Sequence, residues 1–200
     1  MKEKIIMANP KIPTTKHKIH HLITERWSAR SFADQTIGDS TIETLFEAAS
    51  WSASSMNEQP WRYIYAKRGS QAFDRMVECL MDGNQPWAKN GSHLFISLAK
   101  RKFEHKGQAN RHHMFDTGAA NATLLMQAAQ MDVFGHLMGG FHYDKALEAF
   151  DIDNEEYEIA CFGVIGYLAA PDALPEPFKS RELTPRTRKV VNEFTTHLEE

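Results

Sequence analysis

Residues 110–131, NRHHMFDTGAANATLLMQAAQM, form the longest helical pattern in the chain. The centre of this stretch, Gly118–Ala129, is small or apolar on nearly every side of the predicted helix. A helix of that kind has no face that water can solvate, so it belongs in the core of a domain or at the contact between two subunits. The stretch therefore predicts one long, buried helix around which the rest of the fold is built.

Shorter patterns on either side predict a small sheet and additional helices. Alternating or continuously apolar runs predict four strands, at Trp61–Lys67, Leu94–Ala99, Val133–Met138 and Glu158–Tyr167. Helical spacing predicts further helices at Ile19–Trp27, Ser40–Trp51, Ser70–Met81 and Tyr143–Phe150. Ser40 and Glu43 have the spacing of a capping box, which predicts that the second of these helices begins at Ser40. So few strands among this many helices predict an α+β fold.

The composition indicates one globular domain. The chain has 200 residues, of which 42% are hydrophobic and 24% charged, as in ordinary folded proteins. We predict a single domain over residues 1–200, with a leading segment at 1–18 and an extended, proline-rich arm at 169–200. The net charge of −3 gives no general attraction to nucleic acid or to acidic membranes. No apolar run approaches the roughly 18 residues of a membrane helix, so we expect neither nucleic acid nor a membrane as a partner.

The cysteine and histidine patterns predict a reduced protein without a metal. Cys79 and Cys161 lie in apolar stretches far apart in the sequence, which favours buried thiols in a reducing cytoplasm over a disulfide. Two pairs of residues have the spacing of ligands on one helix face, namely His17 with His21 and His112 with Asp116. Neither pair has a third ligand at a suitable spacing, so we expect no metal site.

The stretch Arg26–Phe32, RWSARSF, follows the first predicted helix and concentrates groups that bind anions. Arg26 and Arg30, with Ser28 between them, can offer two guanidiniums, a hydroxyl and exposed backbone N–H groups to a phosphate. A solvated basic turn is the alternative interpretation of the same residues.

Three other stretches carry groups suited to a flat ligand or its charge. Residues 53–61, ASSMNEQPW, form a loop rich in hydrogen-bond donors and acceptors, which suits the polar edge of a heterocycle. Residues 136–141, HLMGGF, end a predicted strand with two glycines that let backbone N–H groups approach a ligand. Residues 186–189, RTRK, form a basic patch. Ordinary turns and a solvated surface patch are the alternative interpretations.

Taken together and in this order, these stretches resemble the FMN-dependent nitroreductase family. The Asp116-x-Gly-x-Ala pattern of the long helix and the Gly163-x-x-Gly166-Tyr pattern of the last strand are similar to its motifs as well, so the resemblance covers about residues 20–194. It implies an α+β fold with a small, mostly antiparallel central sheet flanked by helices. It also implies an intertwined homodimer that holds two FMN molecules at the subunit interface.

The resemblance implies that each FMN contacts both subunits. One subunit would hold the phosphate, the ribityl chain and the pyrimidine side through Arg26, Trp27, Ser28 and Arg30. Arg186 or Arg188 would complete the phosphate site, and the sequence leaves open which of the two does so. The other subunit would cover the flavin with Ser54, Ser55 and Asn57. The flavin edge would be lined by Asn84, Met138, Gly139 and Gly140.

The activity that the resemblance implies is that of a flavin-dependent oxidoreductase. A hydride would pass from NADH or NADPH through FMN to a small electron acceptor, such as a nitroaromatic compound or a quinone, in a ping-pong cycle. The catalytic groups would be the backbone of Gly139 and Gly140, near flavin N5 and O4, and the cation of Arg30, which would stabilise the reduced flavin. The sequence indicates no preference between NADH and NADPH. The alternatives are an FMN-binding or redox-sensing module without catalysis, and a family branch with other flavin chemistry, such as dehalogenation or flavin breakdown.

Overall fold

The computed structural model of the chain describes residues 10–105 and 107–199. Its centre is a four-stranded antiparallel sheet in the order β1-β2-β4-β3. The strands are β1 (Trp61–Lys67), β2 (His93–Lys100), β3 (Val133–Met138) and β4 (Tyr157–Tyr167). The predicted α+β class and the small antiparallel sheet are confirmed. Residues 1–9 of the predicted leading segment lie outside the described residues.

The inner strands β2 and β4 are buried on both faces, which explains their nearly continuous apolar sequences. Gly163 of β4 pairs with Phe95 of β2, and a Cβ at Gly163 would lie 2.0 Å from Phe95 Cζ. The glycine therefore leaves the space that the phenyl ring fills, a close approach that no other residue permits.

Helices cover both faces of this sheet. The described residues contain α1 (His21–Glu25), α2 (Asp39–Ser50), α3 (Gln71–Cys79), α4 (Gln85–Ala88), α5 (His113–Gln130), α6 (Tyr143–Ala149) and α7 (Phe178–Leu183). Five of them correspond to predicted helices, whereas α4 and α7 were not predicted.

Two apolar clusters result, because successive side chains of a strand point to opposite faces. Leu45 of α2 and Leu124 of α5 pack in one cluster with Phe95 of the sheet. Trp87 of α4 packs in the other cluster, with Leu94 of the same strand. The second cluster also receives the C-terminal arm, and it is the one that adjoins the candidate site.

The predicted capping box at the start of α2 is wrong. The helix begins at Asp39, with the extended backbone of Gly38 as its N-cap and no side-chain cap bond. Asp39 instead places a carboxylate in the first turn, where it interacts favourably with the helix dipole. Ser40 lies inside the helix, and its carbonyl accepts a hydrogen bond from Thr44 Oγ1 at 2.8 Å.

Within the single chain the long helix α5 is buried on one side only, so of the two predicted environments the domain core covers just that side. Its buried side carries Asp116, Thr117, Ala120, Asn121, Leu124, Leu125, Ala128 and Ala129. Its opposite side exposes Met114, Phe115, Gly118 and Ala122. The side chain of Phe115 is 79% exposed, which leaves a large apolar surface in contact with water.

The predicted arm at 169–200 is not extended throughout. It contains α7, whose Phe178 is buried in the second cluster of its own chain. Lys11 Nζ donates hydrogen bonds to the carbonyl oxygens of Arg181 and Thr184, at 2.6 and 2.7 Å. Every described residue after Arg186 is exposed. No helix among the described residues has both the length and the apolar character needed to cross a bilayer.

Candidate cofactor site

A cleft of about 1110 Å³ lies between residues 13–24 and residues 186–195. Helix α1 ends at Glu25, and the N–H of Arg26 closes its last turn on the carbonyl of Leu22 at 3.0 Å. Arg26 therefore starts the extended segment that borders the cleft. The basic side chains on the cleft are those of Lys16, His17, Arg26, Arg186, Arg188 and Lys189. No acidic side chain of a described residue lines it, so the cleft suits an anion.

Arg26 and Arg186 are partly desolvated and are repelled by the neighbouring arginines of the cleft. Burial, followed by the charge of Arg188, lowers the pKa of Arg26. Burial, followed by the charges of Arg26 and Arg188, lowers the pKa of Arg186. Within residues 10–105 and 107–199, none of the three forms an ion pair with a carboxylate. A bound phosphate would compensate this charge through hydrogen bonds from more than one guanidinium.

Arg186 and Arg188 differ in what their guanidiniums contact. Arg186 donates from Nε to the carbonyl of Lys11 and from Nη1 to that of Arg26, both at 2.6 Å, and from Nη2 to the carbonyl of Thr24. It therefore ties the C-terminal segment to the N-terminal one. Arg188 is exposed, and within the described part of the chain it donates only to the neighbouring carbonyl of Thr187, at 2.7 Å. Of the two, Arg188 has the guanidinium better able to bind a ligand.

Trp27, which the resemblance places alongside the cofactor, has its side chain in the core and not on the cleft. Its indole is 3% exposed and packs against Phe134 with ring centroids 4.4 Å apart. Its Nε1 donates to Glu182 Oε1 at 2.9 Å, and the N–H of Arg30 donates to Glu182 Oε2 at 3.1 Å. The buried carboxylate of Glu182 thus fixes the backbone of the Arg26–Arg30 segment from α7.

Sequence reasoning missed Glu182. The residue lies in the proline-rich arm, 155 positions after Trp27, and no local pattern links the two.

The remaining members of the first motif stay near the surface, because Ser28 is exposed and Arg30 is half-buried. Burial lowers the pKa of Arg30, and the charge of Glu182 opposes this effect. The Cζ of Arg30 lies 5.5 Å from the centre of the Trp87 indole.

The structure brings Asn84 and the glycine turn together, as the resemblance implies. Asn84 Nδ2 donates to the carbonyl of Gly140 at 3.0 Å. A Cβ at Gly140 would lie 2.8 Å from that nitrogen, whereas a Cβ at Gly139 would meet nothing within 4 Å. Met138 is buried at the end of β3, and Gly139 is exposed. The turn therefore presents bare backbone at an open edge, where a flat ligand can approach.

The loop that contains Ser54, Ser55 and Asn57 is strained and exposed. Met56, Asn57 and Gln59 have φ values of 54°, 56° and 53°, in the left-handed region that favours glycine. Hydrogen bonds from side chains help to hold the loop. Ser54 Oγ accepts from the N–H of Gln59, and Asp116 Oδ2 accepts from the N–H of Ser55, both at 3.0 Å. Strain that surrounding contacts maintain is typical of ligand-binding loops.

The structure does not join this loop to the arginine cleft within one chain. The loop contacts α5 through Asp116, and its Glu58 Oε1 accepts from the N–H of Glu104 at 2.6 Å. No hydrogen bond or ion pair among the described residues links Ser54, Ser55 or Asn57 to Arg26 or Arg30. Asp116, which has helix-face spacing with His112, accepts a hydrogen bond from the N–H of Ser55 at Oδ2. No three His, Cys, Asp or Glu side chains in the described part of the chain could hold a metal ion.

Comparisons with known proteins agree on one family. The model of the nitroreductase family matches residues 23–88. A protein of Streptomyces coelicolor named as an NADH dehydrogenase/NAD(P)H nitroreductase is 30% identical over 82 residues, which make up 41% of this chain. The match spans only 40% of the length of that curated relative.

Solved structures extend the similarity to nearly the whole chain. A crystal structure described as an oxidoreductase containing FMN is 33% identical, with a TM-score of 0.88 over 95% of this chain and 96% of that one. A nitroreductase of Desulfovibrio desulfuricans in complex with FMN has a TM-score of 0.71 at 16% identity, over 90% of this chain and 95% of that one. At that identity the second structure supports the fold alone.

Proposed function

The chain belongs to the nitroreductase family, and we propose that it is an FMN-dependent oxidoreductase. It would transfer a hydride from NADH or NADPH to a small electron acceptor, such as a nitroaromatic compound or a quinone, by a ping-pong mechanism. The observation that carries the proposal is the cluster of Arg26, Arg186 and Arg188 on a cleft without acidic side chains. The similarity to an FMN-containing oxidoreductase over nearly the whole chain supports it.

The residues of the cleft and of the glycine turn fit FMN in two respects. A phosphate dianion would relieve the repulsion between Arg26 and Arg188, which have no carboxylate partner in the described part of the chain. At Gly139 the backbone faces open space that a Cβ would partly fill, whereas at Gly140 a Cβ would lie 2.8 Å from Asn84 Nδ2 and push the turn away from that amide. When bound, FMN would supply the hydride chemistry, and the protein would supply binding, orientation and charge.

The proposed roles of the residues follow from their positions. Arg26 and Arg188 would bind the phosphate, with Ser28 as an additional hydroxyl donor, while Arg186 would hold the two chain segments in place. Arg30 would direct its cation to the pyrimidine side, where it would stabilise the negative charge of the reduced cofactor. The flavin edge would be lined by Asn84, Met138, Gly139 and Gly140.

We further propose a homodimer in which the loop of one subunit covers the FMN of the other. Ser54, Ser55 and Asn57 would be the covering residues. The exposed loop is accompanied by large apolar side chains in water: Trp51, Met56 and Phe115 are 83%, 76% and 79% exposed. Met56 belongs to the loop and Phe115 adjoins Asp116, which binds the loop, so exposed apolar side chains accompany it, as at a protein interface.

The predicted cytoplasmic location stays a prediction. Cys79 and Cys161 are both buried free thiols, which favours a reducing compartment.

The net charge of −3 favours small molecules over nucleic acid as the ligand.

The proposal is tested by the visible absorbance of the protein reconstituted with FMN. We expect a yellow dimer that bleaches under anaerobic conditions with NADH or NADPH and recovers its colour with a nitroaromatic compound or a quinone. A yellow protein that neither nucleotide bleaches would favour the non-catalytic module. A folded protein that cannot be reconstituted with FMN would contradict the proposal altogether.

A further inference from the structure

Trp87 is a fully buried aromatic residue whose ring contacts an arginine of the proposed site. It lies in α4, and its Nε1 donates to the carbonyl of Gly83 at 3.0 Å, which fixes the orientation of the indole. The Cζ of Arg30 lies 5.5 Å from the centre of the ring. That distance is within the range of a cation–π contact.

Among the described residues, the Arg30 guanidinium contacts the indole and pairs with no carboxylate. The described residues give Arg30 no ion pair within 4.0 Å. Glu182 is the acidic residue whose charge affects Arg30, but its two oxygens accept hydrogen bonds from Trp27 Nε1 and from the N–H of Arg30. The ring of Trp87 is therefore the main contact that restricts where the planar guanidinium can lie.

His136 supports the same indole from β3. The two rings have centroids 4.6 Å apart and an interplanar angle of 34°. His136 Nδ1 donates to the carbonyl of Ala29 at 3.1 Å, which places the imidazole next to the Arg26–Arg30 segment. Burial, followed by the charge of Arg30, lowers the pKa of His136 to about 4. At neutral pH the imidazole is therefore uncharged, and it stacks on the indole without repelling the guanidinium.

We propose that Trp87, supported by His136, is a positioning residue that holds the Arg30 guanidinium in the cofactor site. The inference rests on the proposed function, in which Arg30 stabilises the negative charge on the pyrimidine side of reduced FMN. Loss of the ring would free the arginine side chain to adopt other rotamers. Binding of reduced FMN would then weaken more than binding of oxidised FMN, because only the reduced form carries the charge that Arg30 offsets.

The test compares the dissociation constants of oxidised and reduced FMN in matched variants. For Trp87→Leu we expect the preference for reduced FMN to fall about tenfold, which corresponds to a midpoint potential about 30 mV more negative for a two-electron couple. Trp87→Phe keeps a ring and should retain most of the preference. In an Arg30→Ala background, Trp87→Leu should have no further effect on the ratio.

Controls separate positioning from a general loss of structure. Arg75→Ala removes a similar cation–aromatic contact, in which the Cζ of Arg75 on α3 lies 5.3 Å from the ring of Phe150, the residue that follows α6. This variant should leave the ratio unchanged. If Trp87→Leu does not fold, His136→Asn decides the question, since it removes the supporting ring and should shift the ratio in the same direction by about threefold.

The results that would overturn the inference are specific. The first is an unchanged ratio of the two FMN dissociation constants in folded Trp87→Leu or, if that variant does not fold, in His136→Asn. The second is an equal effect of Trp87→Leu with and without Arg30. The third is an equal shift of the ratio in Arg75→Ala. Failure of the unmodified protein to bind FMN would instead contradict the proposed function, so the two failures are distinguishable.

Discussion

The carboxylate of Asp116, in the first turn of α5, accepts a hydrogen bond from the backbone N–H of Ser55 at 3.0 Å. Asp116 is 3% exposed, so this contact anchors an exposed, strained loop to a buried group on the longest helix. Left-handed φ values at Met56, Asn57 and Gln59 cost roughly 1–3 kcal/mol each and persist only where neighbouring contacts maintain them. Asp116 supplies one of those contacts.

Asp116→Ala is therefore expected to destabilise both the fold and the loop. It leaves the N–H of Ser55 without its acceptor, which should lower the free energy of unfolding in urea by about 1–3 kcal/mol. Asp116→Asn keeps an acceptor oxygen and should cost less. Asp144 also lies in the first turn of its helix, α6, but is exposed, so Asp144→Ala is the matched control. Equal losses for Asp116→Ala and Asp144→Ala would contradict the anchoring role.

Glu182 gives a second prediction, for the link between the arm and the Arg26–Arg30 segment. Glu182→Ala leaves two donors without their acceptor, Trp27 Nε1 and the N–H of Arg30. We expect unfolding free energy to fall by about 2–4 kcal/mol, because each donor left unpaired costs roughly 1–3 kcal/mol. In a double-mutant cycle with Trp27→Phe, the coupling energy should reach about 1 kcal/mol. Additive effects in urea denaturation would show that the two side chains act independently.

Hydrophobic periodicity was sufficient to predict most of the fold. Strands β1 and β3 match their predicted bounds, because alternation and burial extend over their whole length. The pattern could not reveal α4, which at four residues is shorter than two helical turns. The start of α2 was misplaced because Ser40 and Glu43 have capping-box spacing, whereas the N-cap is Gly38, two residues before Ser40.

The site was predictable in its local motifs and not in its long-range contacts. Arg26 lies on a basic cleft, and Asn84 meets the glycine turn, as the motifs indicate. Trp27 was assigned to the cofactor on the resemblance of the Arg26–Phe32 motif. Its burial depends on Glu182, and hydrogen bonds between residues so distant in sequence leave no periodic signal. The contact between Arg30 and Trp87 has the same character.

The three cleft arginines make different contacts, so replacing each of them should change the affinity for a phosphate-bearing ligand differently. Arg26→Ala and Arg188→Ala should each weaken FMN binding by about tenfold or more, since a hydrogen bond to a charged group contributes roughly 1.5–3 kcal/mol. Binding of riboflavin, which lacks the phosphate, should change little. Calorimetric titration of both ligands measures the difference. An equal loss for the two ligands would contradict the phosphate assignment.

Arg186→Ala should behave differently in the same titration. Its guanidinium contacts the carbonyls of Lys11, Thr24 and Arg26, so its removal frees the segment that carries the site. We expect lower thermal stability of the protein without FMN, and weaker binding of FMN and riboflavin alike. A loss confined to FMN, with unchanged thermal stability, would assign Arg186 to the phosphate as well.

His136 predicts a pH dependence of stability with a definite sign. Its pKa is about 4 in the folded protein, against 6.5 in the unfolded chain, because of burial and the charges of Arg30 and Arg26. Between these values the unfolded chain binds more protons, so stability rises with pH, by up to about 1.4 kcal/mol per pH unit for one group. This contribution is complete above pH 6.5 and is lost as the pH falls toward 4. In His136→Gln, the free energy of unfolding, measured with urea at several pH values from 4.5 to 7, should rise less steeply with pH. An unchanged dependence on pH would exclude His136 as its source.

A mixing experiment tests whether each site needs two subunits. Arg26 lies on the cleft, and Asn57 lies on the loop that does not reach it within one chain. Refolding Arg26→Ala and Asn57→Ala chains together should give about half mixed dimers, each with one intact site, and hence about a quarter of the wild-type activity. Mixing Arg26→Ala with Arg188→Ala is the matched control, because both changes fall on the same side of the site and leave every site damaged. Recovery in the first mixture alone would support the shared site. No recovery there, or an active FMN-bound monomer in sedimentation, would contradict it.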